Sequence, residues 1–192
     1  MVSRVAFSLF IGALALERAY ELWLSRRNAA WAKQAGAVEY GTGHLGWMKA
    51  LHTSFFAGAL LEVWLLARPF VLELAAPCLV LALLAQGLRY WAIGALGRRW
   101  NVAVLVLPGM PAEASGPFRY LRHPNYLAVV VEGFAVPLMH GAYLTAGVFS
   151  VLNALLLGVR IRCEEAALIR HCGYRERLAS RPRFWPARSG ER

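Results

Sequence analysis

The chain has 192 residues, of which 58% are hydrophobic and 17% charged, and its formal net charge is +10 at pH 7. Soluble domains usually carry about a quarter charged residues, so the long apolar blocks indicate a membrane protein. No soluble module is left over to carry a basic patch, and we therefore predict contact with membrane lipid and no nucleic-acid partner. The chain has three cysteines, Cys78, Cys163 and Cys172, which are too few for a disulfide framework. They also lack the spacing of zinc ligands, so we predict no metal site.

The first half of the chain contains three apolar segments that are each long enough to cross a bilayer, which takes about 20 helical residues. They cover residues 2–24, 44–66 and 70–96. Residues 25–43 are polar and glycine-dotted, so we predict a loop there, with room for an interfacial helix over 28–34. Residues 1–96 are thus expected to form an N-terminal three-helix membrane region.

The second half begins with a long polar connection, residues 97–123, in which the apolar run 102–107 is too short to span a membrane. We expect that run to lie along the surface or to fold back into the bundle. A short apolar helix at 124–139 follows, and His140-Gly141 turns the chain into a second helix that ends near His171. These two helices predict a C-terminal helical hairpin, and Phe184 and Trp185 are expected to dock the arginine-rich tail.

The predicted fold class is therefore all-α, a membrane bundle of about five transmembrane helices. Residues 97–192 would form a second region, made of the polar connection, the helical hairpin and the basic tail. Nearly all lysines and arginines fall in residues 25–43, 97–123 and 163–192, which five spans place on one side of the membrane. The positive-inside rule then predicts an external N-terminus and a cytoplasmic C-terminus.

Two polar features are expected to meet on that cytoplasmic side. One is the corner Ser115–Tyr126, where Gly116-Pro117 predicts a turn and Pro124 suits the first turn of a helix. The other is the pair Arg160 and Glu164, which lie one helical turn apart on one face, while Arg162 and Glu165 point elsewhere. The pair could form an ordinary surface ion pair, or it could complete a polar pocket with the corner.

These residues carry a resemblance to a known family. Residues 116–127 read Gly-Pro-Phe-Arg-Tyr-Leu-Arg-His-Pro-Asn-Tyr-Leu, and residues 160–168 read Arg-x-Arg-x-Glu-Glu-x-x-Leu. Both motifs at this separation resemble the isoprenylcysteine carboxyl methyltransferase family over about residues 96–184. The resemblance implies a membrane enzyme that methylates a lipophilic acceptor with S-adenosylmethionine, bound between the corner and the last helices. Residues 97–192 would then be the cofactor-binding catalytic region.

The resemblance also implies roles for individual residues. The cofactor pocket would be lined by Met110, Pro111, Ala112, Glu113, Phe118, His123, Pro124, Asn125, Tyr126 and Glu164. Phe118 stands where the family usually has tyrosine, and Met110–Glu113 match its backbone cradle in position rather than in sequence. Arg160 would bind and orient the acceptor as the catalytic residue, and Glu132 is a further candidate for substrate binding.

The N-terminal half resembles bacterial members of the family that are found beside type III polyketide synthases, which implies a bacterial inner-membrane location. The matching residues are Glu17-Arg18-x-x-Glu21-Leu22, Arg26-Arg27-Asn28-x-x-Trp31, Gly36–Gly41 and Leu51-His52-Thr53. Their acceptors would be alkylresorcinols or alkylpyrones instead of a carboxylate. A phenol titrates near pH 10, so Glu132, His52 or His123 could serve as a base, or Arg160 could lower the acceptor's pKa.

Three other functions fit parts of this pattern. A sterol-reductase-like enzyme also carries an Arg-His-Pro-Asn-Tyr corner and uses NADPH, although its usual chain is longer. A phospholipid N-methyltransferase would methylate an amine lipid. A non-catalytic membrane scaffold or small transporter would use buried charges such as Arg89 and Glu132 to line a path.

Overall fold

The protein is mainly helical in a computed structural model that describes residues 1–184. Its helices are α1 (Val2–Gln34), α2 (Thr42–Leu65), α3 (Leu72–Leu96), α4 (Pro124–Leu138), α5 (Tyr143–His171) and α6 (Tyr174–Leu178). Two short strands, β1 (Val38–Tyr40) and β2 (Val104–Val106), pair antiparallel with Val38 opposite Val106. The helical fold class is thus confirmed, and the small sheet is an addition to it.

Two segments, Leu72–Arg99 and Tyr143–His171, are long and apolar enough to cross a membrane, and α4 is apolar but shorter. Large apolar side chains cover their outer surfaces. Leu84 on α3 is 65% exposed and Leu155 on α5 is 66% exposed. An exposed apolar surface of this extent is typical of contact with lipid.

The helices pack through small residues, which allow their backbones to approach closely. Such packing stabilises helix association in a membrane, where the hydrophobic effect does not drive it. Helix α4 lies between α3 and α5, and α5 also contacts α2. Ala82 on α3, Ala135 on α4 and Ala146 on α5 are all buried in the main core cluster. The predicted helical hairpin is present, with residues 139–142 joining α4 to α5.

The prediction of a loop immediately after residue 24 was wrong, because α1 continues as one helix to Gln34. Two polar residues of this extension, Ser25 and Asn28, are buried against the polypeptide. Ser25 Oγ donates to Asn101 Oδ1 over 2.9 Å, and Asn28 Nδ2 donates to the Trp100 carbonyl over 2.8 Å. Helix α1 thereby holds the connection that follows α3.

The apolar run 102–107 folds back into the protein, one of the two outcomes expected for it. Its central residues form β2, which pairs with β1 and buries Val104 and Val106 against Tyr174 and Leu178. The sheet therefore connects the α1–α2 loop to the chain that follows α5.

The tail returns to the corner at the start of α4. The backbone N–H of Arg122 donates to the Pro182 carbonyl over 2.9 Å, and that of His123 donates to the Arg183 carbonyl over 3.2 Å. Phe184 packs against a cluster that includes Tyr126. Trp185, the other residue expected to dock, lies outside the described residues.

Gly133 provides a first prediction, because a Cβ at this position on α4 would lie 2.2 Å from Cε1 of Phe149 on α5. We expect Gly133→Ala to lower the free energy of unfolding by about 1–3 kcal/mol, since overpacking forces the ring or the helices apart. Gly147→Ala on α5 is the matched control, as its added methyl would meet nothing within 4 Å. Thermal unfolding in detergent measures both, and equal stability of the two variants would contradict the prediction.

Candidate active site

The corner between α3 and α4 is built on a tight turn. Gly116 has φ +55°, a conformation that favours glycine, and a Cβ there would lie 2.9 Å from the Ala95 Cβ on α3. Pro117 is fully buried and Pro124 begins α4. The predicted turn and helix start are both present. They fix His123 and Tyr126 one turn apart, with their rings stacked at a centroid distance of 5.2 Å.

The run from Met110 to Glu113 is held against the end of α5. The backbone N–H groups of Gly109 and Ala112 donate to the carbonyls of His171 and Cys172 over 3.0 and 2.9 Å. Glu113 in turn forms an ion pair with Arg99. This part of the chain therefore forms a fixed wall opposite the corner.

The electrostatic environment of Glu113 keeps it ionised. Burial raises the pKa of its carboxyl, but hydrogen bonds from Ser115 and Ala114 and the cation of Arg99 outweigh burial, so the pKa lies below its ordinary value. The N–H groups of Ala114 and Ser115 donate to Glu113 Oε1 over 3.0 and 2.9 Å. The turn that leads into the corner is thus held by a charged side chain.

A cavity of about 150 Å³ lies between the wall and the corner. All ten residues that the sequence assigned to a cofactor pocket line it, from Met110 through Tyr126 to Glu164. The structure therefore brings together residues up to 54 positions apart, while their role in binding stays a prediction. Asn125 adds a buried side-chain oxygen, Oδ1, that has no hydrogen-bond partner within residues 1–184.

The hydroxyl of Tyr126 connects Arg160 and Glu164. Arg160 Nε donates to Tyr126 Oη over 2.6 Å, and Tyr126 Oη donates to Glu164. Arg160 Nη2 also donates to the Val102 carbonyl over 2.6 Å. The ordinary ion pair between Arg160 and Glu164 is absent from the described chain, where the tyrosine hydroxyl stands between them.

Arg160 is 4% exposed, and no carboxylate among residues 1–184 forms a salt bridge with it. Arg89, buried to a similar degree, contrasts with it by pairing with Glu132. Burying a guanidinium without an anion is costly. A guanidinium has five N–H donors, and Arg160 directs three of them to Tyr126, Val102 and the Met48 sulfur, leaving two. The site therefore offers a cation and free donors to an incoming oxygen.

A second, larger cavity of about 370 Å³ lies among the helices on the other side of Arg160. Its walls are mostly apolar side chains of α1, α2, α4 and α5, with Glu132 and His52 among the polar exceptions. Five residues line both cavities: Trp100, Asn101, Asn125, Tyr126 and Arg160. The two spaces thus meet at Arg160 and Tyr126, and Glu132 faces the second of them.

Glu165 is a buried residue beside the site that the sequence analysis assigned no role. It points away from Arg160, as expected, but it is 7% exposed and holds the corner and the tail together. His123 Nε2 lies 3.0 Å from its Oε1, Arg183 Nη2 lies 2.5 Å from its Oε2, and Tyr174 Oη donates to it over 3.2 Å. Burial and this carboxylate raise the pKa of the Tyr174 phenol well above its ordinary value.

Comparison with known proteins agrees with this architecture. The model of the isoprenylcysteine carboxyl methyltransferase (ICMT) family matches residues 78–170. The uncharacterized protein YpbQ of Bacillus subtilis (strain 168) is 39% identical over 163 residues, which is 84% of this chain and 96% of that protein. The chain belongs to the isoprenylcysteine carboxyl methyltransferase family. Membership identifies it as a membrane methyltransferase.

Two further similarities extend the comparison. An uncharacterized protein of Haemophilus influenzae (strain ATCC 51907 / DSM 11121 / KW20 / Rd) is 30% identical over 152 residues, or 79% of this chain and 88% of that one. The solved structure of the eukaryotic intramembrane Ras methyltransferase ICMT matches with a TM-score of 0.52 at 18% identity. That match covers 69% of this chain and half the length of the larger protein, and it shows a shared fold.

Proposed function

We propose that this family member is an S-adenosylmethionine-dependent O-methyltransferase acting on a lipophilic acceptor. The cofactor would occupy the 150 Å³ cavity and the acceptor the 370 Å³ cavity. The observation that carries the proposal is the buried Arg160, unpaired with any carboxylate of residues 1–184, at the junction of the two spaces. A cation in that place favours an acceptor oxygen that carries or develops negative charge.

The residues around the first cavity suit this cofactor. Glu164 can accept hydrogen bonds from an ammonium or a ribose hydroxyl, and the unpartnered Oδ1 of Asn125 is a further acceptor. Phe118 adds an aromatic side chain to the lining, against which an adenine could pack. When bound, S-adenosylmethionine supplies an electrophilic methyl group on a sulfonium.

The acceptor's tail would lie among the apolar side chains of the second cavity, with its polar head against Arg160. The fixed guanidinium would orient the nucleophilic oxygen, and such positioning is the main requirement of an in-line displacement. Both a carboxylate of the isoprenylcysteine type and the hydroxyl of an alkylresorcinol or alkylpyrone fit this description.

We also propose the membrane arrangement. Helices α1, α2 and α4 would cross the bilayer with α3 and α5, giving five transmembrane helices with the N-terminus outside. The grouping of cations in residues 97–123 and after residue 163 supports a cytoplasmic site. The bacterial relatives support placement in a bacterial inner membrane.

A ligand-binding experiment tests the cofactor. We expect S-adenosylhomocysteine to raise the Tm of the purified protein and NADPH to leave it unchanged. Glu164→Ala is expected to weaken S-adenosylhomocysteine binding about 10-fold or more, since it removes a charged acceptor from the cavity and leaves the Tyr126 hydroxyl without its own acceptor. Glu176→Ala, at an exposed position on α6, is the control.

Stabilisation by NADPH alone would favour a reductase and reject the proposal. Unchanged affinity in Glu164→Ala would remove that residue from the site. Incubating the protein with labelled S-adenosylmethionine and a lipid extract of its own host would then identify the acceptor. A methylated amine lipid as the product would favour an N-methyltransferase.

A further inference from the structure

His52 is a polar residue of the second cavity that the arrangement above leaves without a role. It lies on α2, its ring meets Phe149 edge-on at 5.3 Å, and its Nδ1 lies 2.8 Å from the Met48 carbonyl oxygen. A carbonyl oxygen can only accept a hydrogen bond, so the neutral ring carries its proton on Nδ1. The Nε2 atom therefore presents a lone pair, and no residue of the described chain donates to it.

The same turn of α2 touches the reacting region. Arg160 Nη1 contacts the Met48 sulfur at 3.6 Å, and His52 follows Met48 by one helical turn. His52 and Arg160 thus both line the acceptor cavity. A bound acceptor would therefore meet both a cation and an unprotonated imidazole nitrogen in this cavity.

The two carboxylates that line this cavity, Glu21 and Glu132, are already paired with arginines. The charged side chains that line it come from every packed helix: Arg18 and Glu21 on α1, Lys49 on α2, Arg89 on α3, Glu132 on α4 and Arg160 on α5. Glu132 pairs with Arg89, Glu21 pairs with Arg18, and His123 is held by Glu165. Of the three bases proposed from the sequence, Glu132, His52 and His123, only His52 combines a place in this cavity with an unengaged basic atom in the described residues.

We propose that His52 is the general base for a neutral hydroxyl acceptor, a phenol or an enol, an inference that rests on the proposed function. The acceptor O–H transfers its proton to Nε2 while the oxygen bonds to the methyl carbon. The carbon–sulfur bond breaks and its electron pair stays on sulfur, giving a neutral thioether. The imidazolium then releases its proton to water. A carboxylate acceptor would need no such group, because it is already deprotonated.

The test compares two acceptors in wild type and His52→Asn, whose side-chain amide can still donate to the Met48 carbonyl. We expect turnover of a 5-alkylresorcinol to fall about 100-fold. Turnover of an S-farnesylcysteine carboxylate should fall much less, because that acceptor needs no base and is affected only by the altered shape of the cavity. His44→Asn, also on α2 but outside both cavities, is the control. A thermal shift with S-adenosylhomocysteine reports whether each variant is folded.

A second measurement is independent of turnover. An alkylated 4-nitrophenol, studied just below its own pKa, should show the phenolate absorption when it binds wild type and lose that absorption in His52→Asn. Near wild-type turnover of the resorcinol by His52→Asn, or methylation by the wild type of the carboxylate only, would overturn the role of His52. Absence of S-adenosylhomocysteine binding and of any methyl transfer would instead overturn the proposed function, and the inference with it.

Discussion

Replacing Arg160 with alanine is expected to lower the rate of methyl transfer about 1,000-fold while the protein stays folded. The guanidinium holds Tyr126 and the Val102 carbonyl at the junction of the two cavities and keeps two donors free. Without it the acceptor oxygen loses both its orientation and the cation that stabilises its charge, effects worth about 10²–10³ for a single donor. Single-turnover kinetics with saturating acceptor would measure this loss.

Cofactor binding should respond much less to the same change. Arg160 supports Tyr126 through one hydrogen bond, so Arg160→Ala is expected to weaken S-adenosylhomocysteine binding about 10-fold at most. Arg160→Lys keeps the charge but cannot bind Tyr126 and Val102 together. Its rate of methyl transfer should therefore lie between those of wild type and Arg160→Ala. Arg162→Ala, exposed two positions along α5, is the matched control. Parallel losses of affinity and rate would reject an acceptor role for Arg160.

The corner could be predicted from sequence because its conformation is set locally. Glycine at position 116 supplies the positive φ of the turn, and Pro124 fixes the first turn of α4. Helical spacing likewise placed Arg160 and Glu164 on one face of α5. The cavity follows from these local rules once the hairpin brings α5 alongside α4, and ten predicted residues accordingly surround one space.

The features that were missed depend on contacts between distant parts of the chain. Residues 25–34 have the composition of a loop, yet they continue α1 because the chain at 100–102 covers Ser25 and Asn28. Glu165 has the spacing of a solvated side chain, and it meets cations only because the corner brings Arg122 and the returning tail brings Arg183 to it. No local pattern indicates which segment will cover a helix face. Hydropathy therefore could not predict the burial of Ser25 and Asn28 on α1 or of Glu165 on α5.

Removing the carboxylate of Glu165 is expected to be the most destabilising single change around the site. Glu165→Ala would leave His123 buried without its partner and would free Arg122 and Arg183, which bind the carboxylate at 3.2 and 2.5 Å. Breaking a buried pair on one side typically costs about 3–5 kcal/mol. For a chain of this size the corresponding fall in Tm is roughly 6–20 °C.

Graded variants separate the charge of Glu165 from its packing. Glu165→Gln keeps the shape and one acceptor oxygen, so its Tm should lie between those of Glu165→Ala and wild type. Glu176→Gln on α6, at an exposed position, is the control for loss of a carboxylate near the tail. Equal Tm values for Glu165→Ala and Glu176→Gln would show that the cluster contributes nothing to stability.

A double-mutant cycle identifies which partner carries the effect. The coupling energy between Glu165→Ala and Arg183→Ala measures how strongly the tail is tied to α5, and pairs in contact usually show about 0.5–3 kcal/mol. His123 and Tyr174 would keep their contacts with Glu165 in Arg183→Ala alone, so that variant should be milder than Glu165→Ala. If Arg183→Ala proved as destabilising as Glu165→Ala, the carboxylate would act through the tail and not through the corner. Phe184 would then be the next residue to replace, because it packs against the Tyr126 cluster at the end of the same segment.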